Sequence, residues 1–473
     1  AWNRLVRRHG MLRAVIDRDG HQRVLPDVPV LHIPSTDLRN ASIDKVEVHI
    51  DGVRADMDHR VHDTATWPLF ELRHTRTARG DIVHFSLDSL IADWASAGIL
   101  FEELDTILAG RENELPALDI GFRDYLLAGR RLRDTTRYRN DRRYWMERMD
   151  TLPAAPTLPQ APRAAQGPVR FQRHSLHLPT DTWAAFRTNA AGHGITPTNG
   201  VLAAYASVIR RWSRQSRFSL TLTLLNRMPL HPQVDRLVGD FTSVSLLDVA
   251  PADGADFAGY ARRIGEQVFA DLDHRLFSGV EVVRELARRR GREDALMPIV
   301  FTGAIGLHTD AVPASGRRMG HGITQTPQVF LDCQAGDGPD GLHVHWDVRQ
   351  QVFPPGMIDD MFEVFGALLV RLANDAGSWL ATSGVELPEW QRAERRAAND
   401  TGAVLTDRLL HTDIVHQATC SPDKTAIVDA TGELTYARLV ARANGVAMAL
   451  RERGLAPGEP VALAMSMSRW QAV

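Results

Sequence analysis

The chain has 473 residues and sets 55 lysines and arginines against 58 aspartates and glutamates, a balance that leaves no global field for nucleic acid or an acidic membrane surface. Its two cysteines, Cys333 and Cys420, exclude a disulfide framework and a cysteine-based zinc cluster and suit a reducing compartment, so the cytoplasm is the expected location. No apolar run reaches the roughly 18 residues of a membrane span, no signal peptide opens the sequence, and the length suggests roughly two to four domains.

In chain order, helix-like and strand-like segments alternate, the mark of an α/β architecture. Trp2, Leu5 and Val6 open an amphipathic helix closed near Gly10, and Val46 to Val53 alternates as a half-buried strand should. An apolar run from Ile82 to Phe85 predicts a buried strand. Leu90, Ile91, Trp94, Ala95 and Gly98 to Leu100 then recur at helical spacing, with Asp88 placed to cap the helix and Asp93 and Ser96 sharing one face. That helix runs toward Ala109 and ends at Gly110. The arginine-rich stretch from Phe122 to Met149, with Tyr125, Tyr138, Tyr144 and Trp145, reads as a helix with a solvated face and an aromatic underside. Five prolines in the seventeen residues from Leu152 to Pro168 predict an extended crossing or linker rather than helix or central strand.

Thr196 and Pro197 suit the start of a core helix bearing Val201, Tyr205, Val208 and Trp212. Phe218 to Leu225 has strict period-two alternation and ends at the polar Asn226 and Arg227. Gly239 to Ser243 reads as a turn entering another strand. Two further apolar strands follow, one broken at Thr302 and one, from Gln325, ending in Asp332. If they are neighbours, a hydroxyl and a carboxylate meet at one rim of the sheet. Cys333 points to the face opposite Asp332, which argues against a nucleophilic role. His343 and His345 share a strand face, but no third ligand stands at suitable spacing, so no metal is expected. A strand to Trp346 leads through Pro-Pro-Gly to a helix with the core stripe Met361, Phe365, Leu368, Leu369 and Leu372. From Glu386 to Leu410 the sequence is charged and uneven, like an interdomain linker. A new unit begins near His411, with a strand at Thr425 to Asp429 and a helix to Arg453 closed by Gly454.

The motifs resemble those of the condensation superfamily of nonribosomal peptide synthetases. Where that superfamily carries a pair of histidines, this chain has Asp88 and Ser89, with Asp93 and Ser96 completing the motif; such a replacement is the hallmark of the heterocyclization branch. The proline motif at Leu152, the string L-N-R, P-L-H-P and G-D-F-T-S around Asn226, Arg227 and Asp240, P-x-V-F-T ending in Thr302, and Q-T-P-Q-V-x-L-D-x-Q ending in Gln334 follow in the family's order. LTYARL at Leu434 is similar to the first core motif of adenylation domains.

The resemblance implies a two-lobed, chloramphenicol acetyltransferase-like α/β fold. Its lobes would be residues 1–155 and 156–390, followed by a linker at 391–410 and the truncated start of an adenylation domain at 411–473. The family's first motif would lie upstream of Ala1, and the phosphate loop and lysine of amino-acid activation beyond Val473, so this fragment is not expected to activate amino acids. The implied activity joins an upstream acyl thioester to a carrier-bound cysteine, serine or threonine, then cyclodehydrates the product to a thiazoline or oxazoline. Asp332 would be its acid/base and Thr302 the hydroxyl that orients it. Asp88, Asp93 and Ser96 would shape the tunnel, paired with an arginine such as Arg227; Asn226, Asp240 and Gln334 are further motif positions. The resemblance implies no directly bound cofactor, since substrates ride on the phosphopantetheine of upstream and downstream peptidyl carrier proteins, with the adjoining adenylation domain as a further partner. Two other readings stay open: an ordinary condensation domain that forms only the amide, and a noncatalytic carrier-docking module.

Overall fold

Trp2, Leu5 and Val6 are buried on one face of α1 (Trp2–Arg8), and a 3-10 turn leads from it into the hairpin β1 (Ala14–Ile16) and β2 (Gln22–Val24). The computed structural model describes residues 1–162, 168–251, 254–307, 320–382, 385–402, 408–466 and 468–473, which separate into two units, Ala1–Glu389 and Trp390–Val473.

In the first unit, β3 (Ser35–Asp37) runs parallel to β4 (Phe70–Thr77), which pairs antiparallel with β5 (Gly80–Leu87). Between β3 and β4 the strand expected at Val46 to Val53 is instead part of a helix, α2 (Ile43–Met57). Val46, Ile50, Val53 and Met57 fall at helical spacing as well as Val46, Val48 and Ile50 fall at strand spacing. Ser42 decides between the two by accepting the Lys45 N–H at 3.4 Å as N-cap, which leaves Val48 73% exposed and Val53 and Met57 buried. Next comes α3 (Trp94–Leu108), with Ser96, Leu100, Glu103 and Ile107 buried. The single helical stretch expected from Phe122 divides into α4 (Phe122–Arg131) and α5 (Thr136–Arg148), because the Thr135 hydroxyl accepts the Tyr138 N–H at 3.2 Å and starts a second helix.

The remaining part of this unit is built on one six-stranded sheet. Its strands are β6 (Phe171–Pro179), β7 (Phe218–Leu225), β8 (Thr242–Val249), β9 (Ile299–Ala304), β10 (Leu331–Gly338) and β11 (Gly341–Arg349), in the spatial order β6-β11-β10-β9-β7-β8. β10, β9 and β7 are mutually parallel and the other pairings antiparallel. Between β6 and β8 run α6 (Thr180–Gly192) and α7 (Pro197–Trp212), followed by α8 (Phe257–Asp273), α9 (Gly279–Arg290) and, after the sheet, α10 (Met357–Asn374). Thr196 caps α7 through the Asn199 N–H at 3.2 Å, and the helix is buried on every side from Gly200 to Ile209. With α10, whose Met361, Phe365, Leu368, Leu369 and Leu372 are all core, it covers one face of the sheet. Phe218, Leu220 and Leu222 project to that face while Ser219 and Thr221 are buried on the other, as expected of a central strand.

Two cores tie the halves of this unit together. Val234, Leu237, Val238 and Phe241, from the β7–β8 connection, are packed among Trp2, Leu100 and Phe122. Trp145 and Met149 of α5 join Leu246, Phe277, Val282 and Leu286. The proline-rich crossing is tied down where it is described: Ser219 donates its N–H to Ala154 O at 2.8 Å and its hydroxyl to Pro153 O at 2.7 Å.

The second unit begins within α11 (Glu389–Asn399), which occupies part of the stretch expected to be linker. Glutamate, glutamine, arginine and alanine fill it without glycine or proline, and such residues favour helix even when nothing buries them. Farther on, α12 (Thr412–Cys420) precedes the hairpin of β12 (Thr425–Asp429) and β13 (Gly432–Thr435), and α13 (Tyr436–Glu452) follows, capped by Thr435.

Gly279 starts α9 where it lies against β8, and a Cβ there would stand 2.4 Å from the Val244 carbonyl oxygen. Backbone cannot swing away as a side-chain tip can, so Gly279→Ala destabilises the larger unit by about 1–3 kcal/mol, read as a lower midpoint of urea unfolding.

Candidate active site

The turn after β5 is organised by two aspartates with different tasks. Asp88, expected to cap the following helix, closes a local turn instead, its Oδ1 accepting the Leu90 N–H at 2.9 Å. The cap is Asp93, whose Oδ1 accepts the Ser96 N–H at 2.7 Å and the Ser96 hydroxyl at 2.6 Å. The helix therefore starts at Trp94, five residues later than a cap at Asp88 would place it, because Leu90 to Ala92 form a turn that buries Ile91 and Ala92. Ser89 is exposed.

Asp93 and Ser96 are the centre of a clamp. Arg227, two residues past β7, brings Nη2 to 3.0 Å from Asp93 Oδ1 and 2.9 Å from Ser96 Oγ, while its Nη1 donates to Val234 O and Leu237 O at 3.1 and 2.8 Å. The guanidinium lies over the Phe241 ring, 4.0 Å from its centre. Asp93 Oδ2 accepts the Phe241 N–H at 3.2 Å, and the Asp93 N–H donates to Gly239 O at 3.1 Å. Side-chain exposure is 10% for Arg227 and 0% for Asp93, so this ion pair is almost wholly withdrawn from water and works as a weld. Asp240, beside it, is exposed and accepts the Thr242 N–H at 3.0 Å. Asn226 joins through its backbone, donating to Phe241 O at 3.2 Å and accepting the Tyr125 hydroxyl at 3.0 Å.

Thr302 and Asp332 form a second cluster. Their strands are parallel neighbours, with Thr302 opposite Gln334 and Asp332 opposite Val300. Asp332 lies at the start of β10 rather than at a strand's end: Pro327 lacks an amide donor and the Val329 N–H turns back to Thr326 O at 2.8 Å, so pairing begins at Leu331. The Thr302 hydroxyl is 3.1 Å from Asp332 Oδ1 and 3.0 Å from the Thr223 hydroxyl of β7, and Gln334 Nε2 donates to Asp332 Oδ2 at 2.8 Å. Burial pushes the Asp332 carboxyl up to about 6, against the hydrogen bonds from Gln334 and Thr302 that favour its ionised form. A carboxyl poised there can hold a proton or release it near neutral pH.

The same face holds residues that sequence reasoning missed. Arg173 of β6 and Asp347 of β11 pair directly across the strands, and Thr324 joins them. Period-two alternation puts Asp347 on the face of His343 and His345, which was readable; its partner, 174 residues away, was not. His345 is held to about 4, chiefly by burial and then by Arg173, so it is neutral at physiological pH; its Nδ1 lies 2.9 Å from the Ser175 hydroxyl. Cys333 is buried on the opposite face, where desolvation pushes its thiol far up, in line with a packing role. The companions of His343 prove to be His177, its ring stacked 4.5 Å away, and Asp340, rather than His345. Their donor atoms lie within 4.8 Å of one another on an exposed edge, with Asp340 Oδ1 2.9 Å from His343 Nε2.

Comparison with known proteins identifies the family. The Condensation domain family matches residues 1–382 and the AMP-binding enzyme family residues 414–473. Pyochelin synthetase PchF of Pseudomonas aeruginosa is 38% identical over 100% of this chain, which spans 26% of that protein. Phenyloxazoline synthase MbtB of Mycobacterium tuberculosis is 38% identical over 98% of the chain, which spans 33% of it. Among solved structures, the cyclization-docking bidomain of the nonribosomal peptide synthetase EpoB from Sorangium cellulosum superposes with a TM-score of 0.70 at 35% identity, covering 80% of this chain and 77% of that one.

Because Asp93 has no exposed side-chain surface, removing its cation leaves a buried, uncompensated charge. Arg227→Met is expected to cost about 3–5 kcal/mol of stability, measured by chemical unfolding, whereas Asp240→Ala, at an exposed position, changes it by less than about 0.5 kcal/mol.

Proposed function

The chain belongs to the condensation-domain family of nonribosomal peptide synthetases, and from that premise we propose that it catalyses heterocyclization. The amine of a carrier-bound cysteine, serine or threonine attacks an upstream acyl thioester, forming the amide and releasing the upstream thiol. The nucleophilic side chain then adds to the new amide carbon, and a proton passes to the former carbonyl oxygen, giving a hydroxyl. Asp332 protonates that hydroxyl, which leaves as water, and takes back the proton lost from nitrogen as the C=N bond of a thiazoline or oxazoline forms. One water departs and the carboxyl is regenerated.

The observation that carries this reading is the contact between the Thr302 hydroxyl and the Asp332 carboxyl, a proton carrier set beside a group able to orient it. Ser89 supports the same reading, since it stands where an amide-forming relative would hold its catalytic histidine. Holding two tethered thioesters in one site removes much of the entropic barrier to the first step; proton transfer at a poor leaving group is what the second step needs. Both substrates arrive on the phosphopantetheine arms of peptidyl carrier proteins, upstream and downstream, and the adenylation domain that residues 414–473 begin to match is the adjoining partner. Among the described residues no helix is long and apolar enough to cross a membrane, and we place the reaction in the cytoplasm.

Mass spectrometry of the product formed by an intact synthetase module carrying this chain, supplied with loaded carrier proteins, tests the proposal. The wild type is expected to yield amide and then its dehydrated ring, while Asp332→Ala and Thr302→Ala accumulate the linear amide, with ring closure slowed about 100-fold or more for Asp332→Ala. A wild type that stops at the linear amide makes the domain an ordinary condensation domain.

The pH dependence has a definite sign. The protonated Asp332 serves the departing hydroxyl, so ring closure falls as pH rises through about 6. Asp332→Ala abolishes that inflection in the residual rate.

A further inference from the structure

Asp332 shares its face of the sheet with an ion pair that the reaction above does not use. Arg173 grips Asp347 with both ends of its fork, Nε donating to Oδ1 at 2.7 Å and Nη2 to Oδ2 at 2.6 Å. Asp347 is 1% exposed, and its Oδ2 also accepts the N–H and the hydroxyl of Thr324 at 2.8 and 2.7 Å. The pair reaches Asp332 through one side chain. Arg173 Nη2 donates to Gln334 Oε1 at 3.1 Å, and Gln334 Nε2 lies 2.8 Å from Asp332 Oδ2, 2.7 Å from Thr324 Oγ1 and 3.2 Å from Asp347 Oδ2.

A primary amide has an acceptor on one side and two donors on the other. Turned over, Gln334 would set its NH2 against the guanidinium and its oxygen against two carboxylates, so Arg173 and Asp347 permit one orientation. In that orientation an N–H points at Asp332 Oδ2. A proton on the same oxygen would meet that donor head on.

We infer that Arg173 and Asp347 are positioning residues for ring closure: acting through Gln334, they confine the exchangeable proton of Asp332 to Oδ1, facing Thr302, whose hydroxyl, unlike the fixed amide, can turn to donate to Thr223 Oγ1 at 3.0 Å and accept that proton. The inference rests on the cyclodehydration reading and extends it to a pair outside the Asp332–Thr302 contact. Their charges act on Asp332 in opposite senses, Asp347 favouring its protonated form and Arg173 its ionised form. Three further groups near the cluster are neutral at physiological pH: His345 on β11, Cys333 on the far face of β10 and Tyr205 on α7, the last two with buried, strongly raised proton affinities; the charged Arg349, two residues beyond Asp347 on β11, turns its Nη1 to Pro327 O at 2.9 Å.

Two substitutions test this because they push in opposite directions. Arg173→Gln leaves the negative charge of Asp347 uncompensated and raises the pH midpoint of ring closure; Asp347→Asn leaves Arg173 unopposed and lowers it. In an intact synthetase module with loaded carriers, linear amide and ring product are followed by mass spectrometry across pH. The expected result is midpoint shifts of about one unit or more in opposite senses, ring closure about 10- to 100-fold slower in each variant, and a midpoint back near the wild-type value in the double variant. If the wild type forms the ring and both single variants shift the midpoint the same way, or not at all, the positioning role is overturned while the function stands. If the wild type makes only linear amide, the function fails and takes this inference with it. Should thermal melts show a charge variant to be unfolded, Gln334→Leu removes the N–H on Oδ2 without stripping a buried charge of its partner; a raised midpoint supports the inference and an unchanged one overturns it.

Discussion

The larger unit depends on a buried ion pair. Arg227 and Asp93 are distant in sequence and almost without water, a placement whose desolvation cost is offset only when every charge finds a partner. Asp93 spends both carboxylate oxygens, on Arg227, Ser96 and the Phe241 N–H, and Arg227 adds two backbone carbonyls and an aromatic face. The exit of β7, the connection from Val234 to Phe241 and the start of α3 are thereby held as one piece. β7 also supplies Thr223, four residues before Arg227, a separation of at most about 14 Å along extended chain. The weld thus fixes the end of the strand whose Thr223 hydrogen-bonds to Thr302.

The Asp332–Thr302 cluster sits on one face of a sheet whose other face is solid apolar core. Alternation lets one strand serve both purposes: Leu331, Cys333 and Ala335 pack beneath, while Asp332 and Gln334 stand above. Parallel pairing of β10 with β9, and of β9 with β7, then brings Asp332, Thr302 and Thr223 into one hydrogen-bonded row. Rigid strands hold such groups with less freedom than loops do. In a site of low polarity each hydrogen bond is stronger and each unpaired polar group costs more. A carboxyl raised toward neutrality at that point is a consequence of its burial, and its usefulness follows from the hydroxyl and amide that flank it.

What could be read from the sequence was whatever depends on near neighbours. Alternation from Phe218 to Leu225, the Thr196-Pro197 helix start and the apolar stripe of α10 are local patterns, and the structure has each of them. Asp332 and Thr302 were readable as polar residues breaking apolar runs. Where two local patterns competed, the sequence misled: Val46 to Val53 satisfied both periods until the Ser42 cap settled it, and Asp88 read as the cap that Asp93 supplies.

The sequence by itself determined most of the strands and helices of the six-stranded part, the stripes that face the core and the family to which the motifs belong, because periodicity, capping and residue chemistry act over a few positions. Only the tertiary structure decided that Arg227 closes on Asp93, that Asp332 opens its strand beside Thr302, and that Arg173 reaches Asp347 and Gln334 from across the sheet. Those contacts depend on strand order and register, which are set by the packing of the whole unit and leave no trace in the spacing of any one segment.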